Sequence, residues 1–404
     1  MAICIVVDDY LPESTKVAAK MMHELALGFC KKGHKVTVIT PGPNLKKDYA
    51  VTTLDGIRIL KFPSGKIKNV SKIKRAINET LLSYRAWKYL RKEFFENKND
   101  LILYYSPSIF WGPLIKRLKK IWQAPSYLIL RDLFPQWAID NGILRKNSLI
   151  TKFFQHFERV SYDVADVIGV QSPKNKEWFK RRFPKYNHLQ VLFNWAENSP
   201  VRSKNSRNRE RLGLKDKVVF IYGGNIGHAQ DMRNILKLAN NLKEFPIAHF
   251  VLIGAGDEVD LVKETKINES LTNLTLLEPI SQEEFKNLLA EFDVGLFCLN
   301  RNHQTHNFPG KVLGYMVQSM PILGCVNPGN DLKEVVECAN AGFISFSGDD
   351  LAFRENAIKL LDKKLRESMG IYAKKLMDEK FSVEAAVDQL EQFSLKRNRS
   401  LEIF

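Results

Sequence analysis

A chain of 404 residues is too long for a single hydrophobic core and calls for two domains. With 45% hydrophobic and 26% charged residues, global disorder is excluded. The net charge of +16 is uneven: residues 1–192 hold 34 Lys and Arg against 16 Asp and Glu, the remainder 27 against 29, so the first half calls for an anionic surface, membrane or nucleic acid.

Five cysteines, an odd number without CxxC spacing, read as buried thiols of a reducing compartment, neither a disulfide framework nor a zinc site. The apolar run 2–7 is too short for a signal peptide, and no stretch approaches the ~20 apolar residues of a membrane span. The expected location is cytoplasmic.

In chain order, 2–7 reads as a buried strand, 17–32 as a helix ending at Gly33, and 35–39 as a second strand, a βαβ unit. Ser14 and Thr15 in the first loop are good caps for that helix. With Lys16 they also lie where open α/β sheets bind ligands, at the strands' carboxyl ends. A strand at 57–62 precedes a basic, aromatic, mostly helical segment, 66–98. Strand 101–105 leads to helix 109–122, carrying Trp111, Lys116, Arg117, Lys119, Lys120 and Trp122. Basic helices with Trp and Tyr suit a membrane interface, and Trp178-Phe179-Lys180-Arg181-Arg182-Phe183 repeats that composition. The other reading is of solvated helices that bury their aromatics. No helix-turn-helix, RNP or zinc pattern supports nucleic acid. Strand 126–130 ends in Arg131-Asp132-Leu133-Phe134-Pro135, either an active-site edge or a local surface ion pair. Helix 148–164, strand 167–171 and helix 174–183 complete a domain over 1–192.

Residues 193–212 are polar and contain Pro, which marks a linker. A second α/β series over 213–380 opens with strand 218–222 and Gly223-Gly224-Asn225-Ile226-Gly227, a glycine-rich turn before helix 231–242. Strands at 249–253, 274–277 and 293–298 follow. Helices at 349–362, 364–380 and 383–393 close the chain, and the tail from Lys396 shows no pattern.

His306-Asn307-Phe308-Pro309-Gly310-Lys311 leads into a helical pattern in which Val312, Leu313, Met316 and Val317 share a face. The N–H groups of Gly310, Lys311 and Val312 would be free donors at a helix N-terminus, and Lys311 adds a full charge. That is the make-up of a phosphate or diphosphate seat, although an ordinary Pro-Gly turn has the same outline.

Lys32-Gly33-His34-Lys35-Val36-Thr37, Tyr222-Gly223-Gly224-Asn225-Ile226-Gly227 and Phe308-Pro309-Gly310-Lys311 through Pro321 together resemble retaining family 4 glycosyltransferases over nearly the whole chain. The resemblance implies GT-B architecture: α/β, two Rossmann-like domains facing each other across a cleft, with a C-terminal segment, 381–404, crossing back to the first. Two departures stand out. The Glu-x7-Glu pair of such enzymes falls on His306 and Gly314. The Arg and Lys that follow the glycine-rich turn fall on Asn225 and Gln230. Positive charge for a departing diphosphate must then come from Lys311, or from Arg131 or Lys16. The variant motifs, with Pro328-Gly329-Asn330-Asp331, resemble bacterial O-antigen and capsule transferases, some of them assigned to N-acetyl-L-fucosamine.

The resemblance implies transfer of a sugar, N-acetyl-L-fucosamine first, from a UDP-sugar to an undecaprenyl-diphosphate-linked acceptor with retention of configuration, without metal or cofactor. The leaving phosphate would accept the acceptor's proton. Arg131, Asp132, His306 and Lys311 are the expected catalytic set. Gly223, Gly224, Asn225, Gln230, Glu278, Asn307, Gly310 and Val312 would bind donor, and Ser14, Thr15 and Lys16 acceptor. His306 is equally readable as a solvated loop histidine. The basic half would hold the protein on the anionic inner face of the cytoplasmic membrane. Two rivals remain: a GT-B sugar-nucleotide epimerase, and a non-catalytic membrane-associated subunit of a polysaccharide assembly complex.

Overall fold

Short apolar runs, most of them followed by a loop and a helix, build two sheets that are parallel apart from one edge hairpin. The computed structural model describes residues 1–14, 16–67, 70–201, 207–301 and 308–401. They form two units: Met1–Phe193 together with the segment from Val383 onward, and Asn194–Ser382.

The first unit has eight strands: β1 (Ala2–Val6), β2 (Lys35–Gly42), β3 (Ala50–Leu54), β4 (Ile57–Pro63), β5 (Leu101–Ser106), β6 (Ser126–Leu130), β7 (Val167–Val170) and β8 (Leu189–Val191). Their order is β3-β4-β2-β1-β5-β6-β7-β8, parallel except for β3 against β4. Strand order reverses between β1 and β5, so the crevice of this sheet opens at their carboxyl ends. The β3–β4 hairpin was not anticipated. Its turn, Asp55-Gly56, has φ of 50° and 79°, the two left-handed residues that a tight hairpin needs.

Helices cover both faces. The expected run 66–98 is two helices, Lys72–Thr80 and Leu82–Glu96, and a 3₁₀ turn, Ile109–Trp111, precedes helix Gly112–Trp122. Trp111, Leu114, Leu118 and Trp122 share one stripe of this last helix and are buried against the sheet. The Trp122 Nε1 donates to the Phe94 carbonyl at 2.6 Å. This corrects the expectation that these tryptophans face a membrane: they are core residues, each contributing about 1.5–3 kcal/mol on burial. Phe179 and Phe183 likewise pack in the core around Tyr162.

The closing helix, Val383–Leu401, belongs to this unit and runs beyond the expected 393. It lies on helix Val17–Lys31 at Gly28, where a Cβ would stand 2.7 Å from Val383 Cγ1 and 2.8 Å from Val387 Cγ2. Lys32 pairs with Asp388 and, at 2.6 Å, with Glu391, and His34 Nε2 lies 3.0 Å from the same Glu391 carboxylate. The Lys32-Gly33-His34 motif is thus a clasp for the last helix.

The second unit has β9 (Val218–Gly223), β10 (Ala248–Ile253), β11 (Leu274–Leu277), β12 (Val294–Cys298), β13 (Ile322–Val326) and β14 (Gly342–Phe346). All are parallel, in the order β11-β10-β9-β12-β13-β14, so the reversal lies between β9 and β12. Strand β14 and helix Val259–Asn268 were not anticipated. Among the described residues no helix is long and apolar enough to cross a membrane.

Candidate functional site

The reversal between β9 and β12 brings two loops side by side: the glycine-rich turn after β9, and the segment after β12 that enters helix Gly310–Val317. Gly224, at φ 121°, takes a backbone shape that suits glycine. A Cβ built there would meet only Lys311, at 3.8 Å. The Gly224 carbonyl in turn comes within 1.8 Å of where a Cβ on Gly254 would lie, so residue 254 must also lack a side chain.

Lys311 is the chemical centre of this corner. Its Nζ stands 3.7 Å from the centroid of the buried Tyr222 ring and 3.2 Å from Gln230 Oε1. Among the described residues no carboxylate pairs with it. Burial pushes its ammonium down to about 7 from its usual 10.5, because little water or counter-charge stabilises the cation. Gln230 ends a 3₁₀ turn, His228–Gln230, and its side-chain oxygen accepts from the lysine. Tyr222 is held by its hydroxyl, which donates to the Asn225 carbonyl.

Of the three amides expected to be free, that of Val312 already donates to the Pro309 carbonyl at 3.1 Å, and the Val312 side chain is core. The amides of Gly310 and Lys311 have no acceptor among the described residues, and Gly310 opens on empty space. The Pro309 N-cap supplies no side-chain acceptor, so the helix end keeps its positive field. His306 and Asn307 lie outside the described residues. Glu278 follows β11, the edge strand, two strands away from β9. Next along the rim, the loop after β13 buries three polar residues outside the expected site set: Asn327, and Asn330 and Asp331 of the Pro328-Gly329-Asn330-Asp331 motif, each 1% exposed. Asn330 Oδ1 accepts from the Leu332 amide at 3.0 Å, and its Nδ2 donates to Asn327 Oδ1 at 3.2 Å.

The crevice of the first unit has the opposite character. Asp8 follows β1, Tyr105 is the penultimate residue of β5 and Asp132 follows β6, on three adjacent strands. Burial raises the Asp8 carboxyl to about 6, lifts that of Asp132 above its ordinary value, and pushes the Tyr105 phenol up to about 12. Asp8 and Tyr105 escaped the sequence reading, since only the sheet order shows that they are neighbours of Asp132.

The expected Arg131 is not a free cation. Its Nη1 donates to the Leu192 carbonyl at 2.5 Å and its Nη2 to that of Phe193 at 3.0 Å, tying β6 to the chain leaving β8. Burial lowers this guanidinium to about 10. Lys16 pairs with Asp9 at 3.2 Å. Ser14 is buried, and its Oγ accepts from the Lys16 amide at 3.2 Å, which makes it a turn residue instead of the helix's cap. Thr15 lies outside the described residues.

Comparison with known proteins agrees with this fold. Residues 18–196 match the model of Glycosyltransferase Family 4, and residues 204–376 that of Glycosyl transferases group 1. A protein named as a glycosyltransferase, WbjE of Pseudomonas aeruginosa, is 25% identical over 63% of this chain and 64% of its own length. WcaI of Escherichia coli K12, named for colanic acid biosynthesis, is 23% identical over 88% of this chain and 95% of its own. Among solved structures, a sucrose-phosphate synthase from Thermosynechococcus elongatus superposes with a TM-score of 0.67 at 14% identity, covering 99% of each chain. Anabaena HepE, solved with UDP and glucose, gives 0.60 at 14%, over 97% of this chain and 99% of that one. The two Rossmann-like units are therefore glycosyltransferase domains, family 4 in the first half of the chain and group 1 in the second.

Proposed function

We propose that the protein transfers a sugar from a nucleoside-diphosphate donor, UDP-linked, to a lipid-linked acceptor sugar with retention of configuration, in the assembly of a bacterial surface polysaccharide. The observation that carries this reading is Lys311, a buried ammonium without a carboxylate partner, beside Gly224 and Gln230 at the sheet's reversal. Family 4 enzymes place a lysine where this chain has Gln230. Here the Lys311 ammonium, on helix Gly310–Val317, stands 3.2 Å from Gln230 Oε1, and we take it as the replacement for that charge.

Departure of UDP builds negative charge on the diphosphate, and fixed donors aimed at that charge lower the barrier most. The amides of Gly310 and Lys311, the ammonium and the end of the helix dipole supply them. Asp8, Tyr105 and Asp132 suit a different ligand. Carboxyls and a phenol accept from and donate to sugar hydroxyls, so we take the first unit as the acceptor's side. The name of WcaI, given for colanic acid biosynthesis, supports a polysaccharide product, and the UDP bound to HepE supports a uridine nucleotide. N-acetyl-L-fucosamine is our first candidate donor sugar, and the anionic inner face of the cytoplasmic membrane our working location.

A thermal-shift series with UDP, GDP, dTDP and ADP tests the donor side. A rise in melting temperature with UDP, weakened in Lys311→Ala, is expected. No shift with any of the four in a folded sample would leave a non-catalytic subunit as the better reading.

A further inference from the structure

The tryptophans of helix Gly112–Trp122 are core residues, so they leave unassigned the surface that meets a membrane. Another part of the first unit has what they lack. After β6 the chain forms a short helix, Gln136–Asp140, and then a turn that enters helix Leu149–Val164. This stretch exposes Trp137, Ile143, Leu149, Ile150 and Phe153, with Leu149 86% and Ile143 64% accessible. Trp137 is the exposed one of the six tryptophans; the others are core or half-buried.

The ridge is built on interlocked rings. Phe134 lies 4.9 Å from Phe154 and 6.0 Å from Trp137, and Phe157 lies 5.1 Å from Phe153 and 5.0 Å from Phe110. A rigid aromatic base holds the apolar tips outward at no further ordering cost. Arg145, Lys146 and Lys152 are exposed among these tips, against a single exposed carboxylate, Asp140, which accepts from Gln136 Nε2 at 2.7 Å. A second exposed apolar pair, Ile73 and Ile77, sits with Lys74 and Arg75 on helix Lys72–Thr80. That helix follows β4, so it too leaves the carboxyl edge of the sheet, the edge that carries Asp8 and Asp132.

We propose that the ridge from Trp137 to Phe153 is the membrane-docking surface of this protein, and that its occupant is the interface of an anionic phospholipid bilayer. Apolar tips with an exposed tryptophan, ringed by cations, fit an acyl–headgroup boundary that carries negative lipid. Three cations near such a surface raise the partition onto it on the order of a hundredfold over neutral lipid. The proposal rests on the reading above of a lipid-linked acceptor. It adds where that acceptor's head would meet the enzyme, at the sheet edge that holds Asp8 and Asp132.

The test uses the full chain with phosphatidylglycerol–phosphatidylcholine vesicles and with pure phosphatidylcholine. Acyl-brominated lipid should quench the intrinsic fluorescence, and Trp137→Phe should abolish that quenching. Leu149→Glu with Ile150→Glu should lower vesicle binding at least about tenfold. Arg145→Glu with Lys146→Glu should weaken binding to anionic vesicles alone. Both pairs should keep the wild-type melting temperature and the UDP shift. Undiminished binding by the Leu149/Ile150 variant, or quenching that survives without Trp137, overturns the proposal. So does a wild-type dimer that the same variant turns into a monomer, because a second copy would then cover the ridge. Vesicle binding that behaves as expected in a protein deaf to UDP would sink the transferase reading and leave this surface standing.

Discussion

The two units apply one folding rule to opposite chemistry. Each sheet reverses strand order once, and each gathers its unusual polar groups at that reversal. In the second unit they are a stranded ammonium, glycines and helix-end amides, an environment short of negative charge. In the first they are two carboxyls and a phenol, all pushed toward their neutral forms by burial. The topology fixes where a ligand binds, and the loop residues fix what kind. Under the proposed function, one crevice would take an anion and the other hydroxyl groups.

The contrast breaks most visibly at Lys311. Lys311→Ala should lower transfer by about 10²- to 10³-fold, the range seen when one donor to a developing anion is removed. Initial rates with a UDP-sugar would measure it. A loss below about threefold would mean that the charge is supplied elsewhere.

Packing of the last helix gives the next largest effect. Gly28→Leu forces a side chain into a site where even a Cβ would stand 2.7 Å from Val383, and should cost about 1–3 kcal/mol or unseat the helix. Chemical denaturation reads the first outcome and proteolysis near residue 383 the second. Full stability in this variant would show that the helix does not dock there.

The pH dependence sharpens the comparison. The free enzyme's Lys311 loses its proton near pH 7, whereas a bound diphosphate favours the charged form. Binding above pH 7 must therefore take up a proton, and UDP affinity should fall by up to about tenfold per pH unit. Isothermal titration in buffers of different ionisation enthalpy would count that proton. Zero uptake at pH 8 contradicts a lysine that is mostly neutral there.

Asp8 predicts the smallest effect. Its carboxyl titrates near 6 in the fold and near 3.8 when unfolded, so the folded state holds more protons between those values and loses stability as pH rises through them. Asp8→Asn should raise the melting temperature at pH 7 by about 2–4 °C and leave it unchanged near pH 3.5. It should weaken acceptor use at the same time. Gain of stability without loss of acceptor would detach Asp8 from the site.

Much of this was legible in the sequence. The alternation of apolar runs and amphipathic stretches marked the two α/β series, and Pro309-Gly310-Lys311 before a helical pattern marked the start of helix Gly310–Val317. The tryptophans were misread although their spacing held the answer. Positions 111, 114, 118 and 122 fall on one helical stripe, which is a core pattern whatever the charges on the other side. Asp55-Gly56 between two β-rich runs was also a readable hairpin signal. Arg131 was different. Its partners are backbone carbonyls some 60 residues away in sequence, and no local pattern announces them. Asp8 and Tyr105 needed the sheet order before they could be seen as neighbours of Asp132.

The clasp between Lys32, His34 and Glu391 sets a timetable for the ribosome. The first unit emerges early, yet its covering helix is made only after the whole of the second unit has been synthesised. At 5–20 residues per second that interval lasts on the order of ten to forty seconds. Throughout it the nascent first unit shows an uncovered strip of helix Val17–Lys31 at Gly28, and the ring of Tyr127 awaits Phe393. Chaperone dependence should be concentrated in that window, and a chain moved by circular permutation so that Val383–Leu401 precedes Met1 should need less of it.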